Sequence, residues 1–172
     1  MSLYTQSVPV LIKYLDNLSK IVQKGAAFAE EKGIKAEDVL HYRLIADQQT
    51  LIYQVRAICN SSKAAVSRLG VEAPFVEDNE QTFDDLVKRI EHAIQLLEDV
   101  DAAIVDAAVD REVIMETRMG NFYFKTGQQY ISEYAIPNFH FHMSTAYCIL
   151  CAQGVQLGAM DYLNNVFTKH EP

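Results

Sequence analysis

The sequence predicts an all-α fold: a four-helix bundle with one long crossover connection and a small β-hairpin between the third and fourth helices. Three observations carry this. In three long stretches the apolar residues recur at alternating steps of three and four, the period of one helix face. A fourth stretch, Gly127 to Gly158, holds the longest nearly unbroken apolar run and two of the five histidines, so the other three can wrap it. Between the third and fourth stretches, residues 110–126 change to short β-branched and aromatic runs around Gly120 and Asn121, the mark of a hairpin.

The first helix places Tyr4, Val8, Leu11, Leu15, Leu18, Val22, Gly25 and Ala29 on one stripe. Pro9 lacks an amide hydrogen and belongs in a first turn, with Ser7 as the cap before it, and Gly33 supplies the stop. The second helix is predicted from about Asp38 or His41 to Leu69, with Leu44, Leu51, Val55, Ile58, Ser62, Ala65 and Leu69 inward and Gly70 ending it. The acidic connection Val71 to Gln81 contains Pro74 and is long for helices packed side by side, so a crossover is expected there. Thr82 with Asp85 resembles a capping box. The third helix then carries Phe83, Leu86, Val87, Ile90, Ile94, Leu97, Asp101 and Ile104, one stripe with a polar interruption, and its outer face (Asp84, Lys88, Glu91, Gln95, Asp99) reads as solvated. The fourth helix runs from Gly127 or Gln128 to about Gln156 and should kink at Pro137. The tail from Ala159 to Pro172 is expected to fray, and the whole chain, 1–172, reads as a single domain.

Composition narrows the function classes. A net charge of -8, from 15 basic and 23 acidic side chains, leaves no basic face for a phosphate backbone, so a nucleic-acid partner is not expected. No apolar run is long enough to span a membrane, and the start MSLYTQSVPVLIKYL lacks a basic segment before an apolar one, so the expected location is cytoplasmic. Three cysteines, Cys59, Cys148 and Cys151, make no disulfide framework. Cys148 and Cys151 form a C-x-x-C, but inside a helical pattern and without a second pair they read as two small buried side chains.

The candidate chemistry lies in a few polar groups on helical stripes. At 100 degrees per residue, Ile131, Ala135, Asn138, Ala146, Ile149 and Gln153 fall within about 40 degrees of His142, which should therefore point inward. His140 falls about 200 degrees away, so a regular helix cannot bring both rings to one metal. On the second helix Asp47 and Gln54 lie at the edge of the core, and Arg43, one turn from Asp47, can pair with it. Two readings follow: an intrahelical ion pair beside a boundary glutamine, or a shared polar pocket in which Asp47, Gln54, Asn138 and His142 meet across the bundle, with Arg43 beside them. The apolar reverse face, with His140, Met143, Tyr147, Cys148 and Cys151, is either covered by other elements or forms a homodimer interface.

Several of these residues belong to a recognisable pattern. The run Pro137-Asn-Phe-His-Phe-His142 with Thr145-Ala-Tyr147, Gly154-Val, Leu157-Gly158 and Asp161-Tyr162 resembles an uncharacterised, mainly bacterial family of unknown function. So do Arg43-Leu44, Asp47, Gln54 and Arg68-Leu69, and, after them, Thr82-Phe83, Leu86 and Arg89-Ile90. The likeness covers nearly the whole chain. That family is grouped with the DinB/YfiT-like bundles, which implies a DinB-like fold, frequent dimers and, in many members, metal-dependent enzymes such as thiol transferases. The DinB-like metal site implied by the resemblance is three histidines, one on the second helix and an H-x-x-x-H pair on the fourth. Here the position four after His142 is Ala146, the one four after His140 is Ser144, and the second helix offers Asp47 or Gln54. The expectation is therefore a homodimeric bundle with no cofactor and no complete metal site, binding a small molecule around His142. The alternative is a divergent metal-dependent enzyme, of transferase or hydrolase type, using His142 with Asp47. An enzyme requires His142 and Asp47 on a solvent-connected cavity, structural residues should be sealed and hydrogen-bonded to each other, and a purely structural or stress-related interaction protein predicts no cavity at all.

Overall fold

The computed structural model describes residues 1–168 and 170, and shows a mostly helical chain with one two-stranded antiparallel sheet. Helix α1, Leu3–Lys32, begins where the Ser2 hydroxyl accepts from the Thr5 amide at 3.2 Å. It ends as expected on Gly33, whose φ of +66° is a left-handed conformation that suits a residue without a Cβ. The cap is one turn earlier than the sequence suggested. Ser7 lies inside the helix and donates to Leu3 O at 2.7 Å, and Pro9 sits in the second turn, where its missing amide removes one ladder bond.

The largest correction concerns the second predicted helix. The chain forms a short α2, Ala36–Leu40, then leaves helical geometry, and α3, Leu51–Ser67, starts only after Thr50 caps it. Residues 41–50 make a loop that closes on itself, Leu51 N bonding Tyr42 O and Gln48 N bonding Ile45 O. Leu44, assigned to the inner stripe, is 38% exposed. The apolar period ran on through 41–50 by coincidence, and the local hydroxyl of Thr50 outcompeted it.

Helix α4, Phe83–Glu98, has the predicted capping box: Thr82 Oγ1 accepts from Asp85 N at 3.1 Å, and Asp85 Oδ2 accepts from Thr82 N at 3.0 Å. Its predicted continuation through Ile104 is broken. Asp101 is not a polar residue within a helix but the N-cap of a separate α5, Ala102–Ala107, accepting from Ala103 N at 2.9 Å. Asp106 of α5 in turn accepts from Tyr4 N at 2.8 Å, using a donor that the first turn of α1 leaves unpaired.

The hairpin is where it was expected. Strands β1, Val113–Thr117, and β2, Gly120–Phe124, pair with Val113 opposite Phe124 and Thr117 opposite Gly120. The turn falls on Arg118 and Met119, slightly before the Gly120-Asn121 pair that announced it. The fourth predicted helix is a composite rod: α6, Gly127–Gln129; a π-helical turn, Tyr130–Ala135; and α7, Ile136–Ala152. The irregularity expected at Pro137 appears as this wider turn just before it, since a proline near the start of α7 cannot donate back to Glu133 O. The rod stops at Gln153 and Gly154, earlier than Gln156.

The chain from Ala159 does not fray. It forms α8, Ala159–Leu163, and a 3-10 turn, Asn164–Val166, held to α1 by Asn17 Nδ2 donating to Tyr162 O at 3.0 Å and by the Lys24–Asp161 ion pair. Lys169, Glu171 and Pro172 of the predicted tail lie outside the described residues. The core is shared by the four long helices: Leu15, Leu18 and Val22 of α1, Val55 and Ile58 of α3, Leu86 and Ile90 of α4, and Phe139, Met143 and Ile149 of α7 are all sealed from solvent. Helix α1 packs chiefly on α4, α4 also on α3, and α3 on α7. The 71–82 connection thus joins packed neighbours rather than crossing over; the longer path, through α2, joins α1 to α3, which scarcely touch. Among the described residues no helix is long and apolar enough to cross a membrane.

Candidate functional site

Packing α3 against the π-helical turn and α7 leaves a cleft of about 390 Å³ open to solvent. On the α3 side small residues make the room: Ala57, Ser61 and Ala64 form a shallow stripe between Tyr53 and Arg68. On the other side the widened turn presents Tyr134 over the buried ring of Tyr130, and the next turns present Asn138 and His142. Asn138 Nδ2 donates to the Ser61 hydroxyl at 2.8 Å, bridging the two walls at the floor.

His142 is half-buried, and Gln54 fixes the orientation and tautomer of its ring. Gln54, 3% exposed, donates its side-chain amide to Gln49 O at 3.3 Å, so its oxygen is the atom facing the ring, 2.8 Å from His142 Nδ1. An amide oxygen only accepts. Nδ1 therefore carries the hydrogen, and in the neutral ring Nε2 keeps its lone pair. Burial lowers the pKa of His142 below its ordinary 6.5, which favours that neutral form. The product is an unprotonated ring nitrogen, able to accept a hydrogen bond, on a residue that lines an open cleft.

Three of the five predicted site residues meet here: Gln54, Asn138 and His142. The structure does not bring Arg43 and Asp47 to them. Both are exposed on the 41–50 loop, where Arg43 donates to Gln48 O instead of pairing with Asp47. They were drawn toward the pocket only by the assumption that the helix continued through them. The ring contact on His142 Nδ1 comes from Gln54, not from the Asp47 of the enzyme alternative.

The reverse face of α7 behaves differently. His140 Nδ1 lies 3.0 Å from the Tyr162 hydroxyl of α8, its ring stands edge-on to Tyr14 of α1 at 4.5 Å, and burial lowers its pKa too. The two imidazoles sit on different sides of the rod. Tyr162 also reaches Ser144 at 3.2 Å and meets the ring of Tyr147, so α8 covers much of the face left open as a dimer surface. Cys148 stays uncovered. That thiol is exposed and Cys151 half-exposed, which corrects the expectation that the C-x-x-C would be buried.

No stripe in the sequence points to the arginines along the cleft. Arg68 donates to the Tyr130 hydroxyl at 3.0 Å, and that hydroxyl donates to Ala64 O at 3.1 Å, tying the last turn of α3 to the π-helical turn. More than three turns earlier on α3, Arg56 holds Glu80 Oε2 and Glu80 O, both at 2.6 Å. Buried Arg89 holds Glu80 Oε1 at 2.7 Å, Asp78 Oδ1 at 2.9 Å, Asn60 Oδ1 at 2.8 Å and Glu77 O at 2.8 Å. An arginine one helical position from the apolar stripe was the available signal, since a buried guanidinium must be matched by carboxylates delivered from elsewhere.

The metal set implied by a DinB-like fold does not fit these residues. His142 brings one imidazole with Nδ1 already taken by an amide, Ala146 follows it by four, and the described residues contain no group of three histidine, cysteine or carboxylate side chains close enough to hold an ion.

The comparisons with known proteins agree with the fold. No curated protein matches. A crystal structure of a DinB family member protein from Shewanella denitrificans is similar over 94% of this chain and 91% of that one, with 38% sequence identity and a TM-score of 0.84. A family described as a domain of unknown function, DUF1993, matches residues 3–163. A DinB-like fold with that match over nearly its whole length places the chain in the DUF1993 family.

Proposed function

We propose that this chain is a DinB-like four-helix-bundle protein that binds a small organic molecule in the cleft between α3 and α7, and that it does so without a catalytic metal. One observation carries the reading: His142 is held by Gln54 in the tautomer whose other nitrogen is free to accept a hydrogen bond, on a cleft that solvent can enter. A histidine kept only for packing would have no need of an open wall. Asn138 and Ser61 at the floor add polar contacts, and Tyr53 and Tyr134 supply flat apolar faces, the mixture found in small-molecule sites. The incomplete donor set around His142 supports the metal-free part of the reading.

The lone pair on Nε2 also favours a second reading, an enzyme in which His142 acts as general base. In that reading Gln54, not Asp47, orients the ring. A homodimer is part of the proposal as well. Its support is the run of exposed apolar side chains on the hairpin, Ile114, Met119, Phe122 and Tyr123.

Three measurements test the reading. Protein purified without chelator is analysed for zinc, nickel and iron, and its size is measured in solution. Then a fragment library is screened by NMR on ring-labelled protein, with His142→Ala as control. We expect substoichiometric metal, a dimer, and fragments that move the His142 resonances and lose binding in the variant. Stoichiometric metal would overturn the metal-free reading, and fragments that never reach His142 would overturn the site.

A further inference from the structure

Resting on the cleft as a small-molecule site, we propose that its ligand is an organic carboxylate, with Arg68 as the anchor for the acid group and the tyrosine walls holding a flat apolar body.

Arg56, Arg68 and Asp78 line the cleft, and behind them Glu80 and Arg89 bond Arg56 and Asp78, so three guanidiniums stand against two carboxylates. Geometry decides where the surplus positive charge lies. Arg56 spends Nε and one terminal nitrogen on Glu80, and Arg89 spends both terminal nitrogens on Glu80, Asp78, Asn60 and a backbone carbonyl. Arg68 makes no ion pair among the described residues; its side-chain contact is the neutral Tyr130 hydroxyl, 3.0 Å from one terminal nitrogen.

That contact positions without neutralising. Tyr130 is sealed from solvent, its hydroxyl is committed to Ala64 O, and the Arg68 guanidinium lies 5.8 Å from the Tyr130 ring centre. The fork is thus set at the cleft edge with N–H groups still to be matched, an arrangement suited to a planar two-oxygen acceptor.

The same inventory favours a carboxylate over a phosphate. Among the cleft-lining residues, Arg56 and Arg68 against Asp78 leave one surplus charge, which matches one carboxylate, whereas a phosphate monoester carries roughly twice that at neutral pH; Arg111, which bonds Arg68 O at 3.1 Å, does not line the cleft. Asp78, at the same cleft and half exposed, would oppose the excess. At the far end His142 Nε2 accepts a hydrogen bond, so the body of the acid should carry a donor, and Tyr53 and Tyr134 line the space between.

The probes are 4-hydroxyphenylacetate, its neutral amide 4-hydroxyphenylacetamide, and 4-hydroxyphenyl phosphate, titrated into isotope-labelled full-length protein. Binding is followed at the Arg68 Nε–H and the His142 ring. The acid is expected to move both saturably, and the amide to bind roughly tenfold or more weakly, the scale of a charge-assisted bidentate contact. Arg68→Gln is expected to abolish the preference for the acid while leaving amide binding in place. Should that variant fail to fold, salt decides on the unmodified chain: about 0.5 M NaCl must weaken the acid and spare the amide. Equal binding of acid and amide, tighter binding of the phosphate, or a preference that survives both Arg68→Gln and salt overturns the proposal. Amide binding at His142 without acid preference would sink the carboxylate anchor and leave the small-molecule reading standing; no probe entering the cleft would sink both.

Discussion

At the scale of single residues, the two imidazoles of α7 show how one helix assigns different tasks to its two sides. Both have a pKa lowered by burial. The sign of the consequence is the same for each: the unfolded chain takes up protons at its ordinary 6.5 while the folded one still resists. Stability contributed by the neutral rings is therefore complete above pH 6.5 and is lost as pH falls from there toward the lowered folded values. We expect the urea midpoint to drop over that window, and His140→Gln and His142→Gln each to flatten the drop; unchanged slopes in both variants would refute it. The cysteines give a second residue-scale expectation. Burial pushes the Cys59 thiol up to about 12, while Cys148 is exposed. A maleimide should label Cys148 first and Cys59 only on unfolding, as read by peptide mass spectrometry; early labelling of Cys59 would contradict its burial. The stripe arithmetic that found His142, Asn138 and Gln54 needed only a regular rod on each side of the contact. Arg68 escaped it because its partner, Tyr130, sits in a π-helical turn, where the 100-degree step no longer holds.

At the scale of elements, the 71–82 connection is the clearest case of a segment whose job was hidden in its composition. Read along the chain it is acidic, with a proline, and looks solvated. In space Glu80 is buried between Arg56 and Arg89, so the connection is a strap fastened to α3 and α4 by buried charge. Removing one member of such a set strands the others without a partner. Glu80→Ala should therefore cost about 3–5 kcal/mol, read from the urea midpoint at constant m-value, and Glu80→Gln less, because the amide keeps one acceptor for the guanidiniums. A loss below about 1 kcal/mol would show that the set is solvated and dispensable. The element boundaries that were legible in the sequence, Gly33 and the Thr82–Asp85 box, are those where the signal is local and stereochemical. Those that were missed, the 41–50 loop and the break at Asp101, lie where an apolar period continued across a side chain able to cap a new helix.

At the scale of the whole molecule, the fold keeps its two ends away from the cleft, and that separation can be tested. Helix α8 returns to α1 through Asn17 and Lys24 and closes over His140, Ser144 and Tyr147, on the side of α7 opposite His142. The cleft depends on a different set of contacts: Gln54 on His142, Asn138 on Ser61, and Arg68 on Tyr130. No residue is common to the two lists. Ending the chain after Gly158 should thus lower stability, since Tyr14, His140 and Tyr147 lose their cover, and should raise the His140 pKa back toward 6.5 as water reaches the ring. His142 should titrate as before, because its burial comes from α3. Ring-carbon NMR on the full and shortened chains separates the outcomes. If His142 shifts together with His140, the rod transmits strain between its faces and the cleft is not an independent site; if only His140 moves, α8 is a structural cover and ligand chemistry is confined to the α3 side.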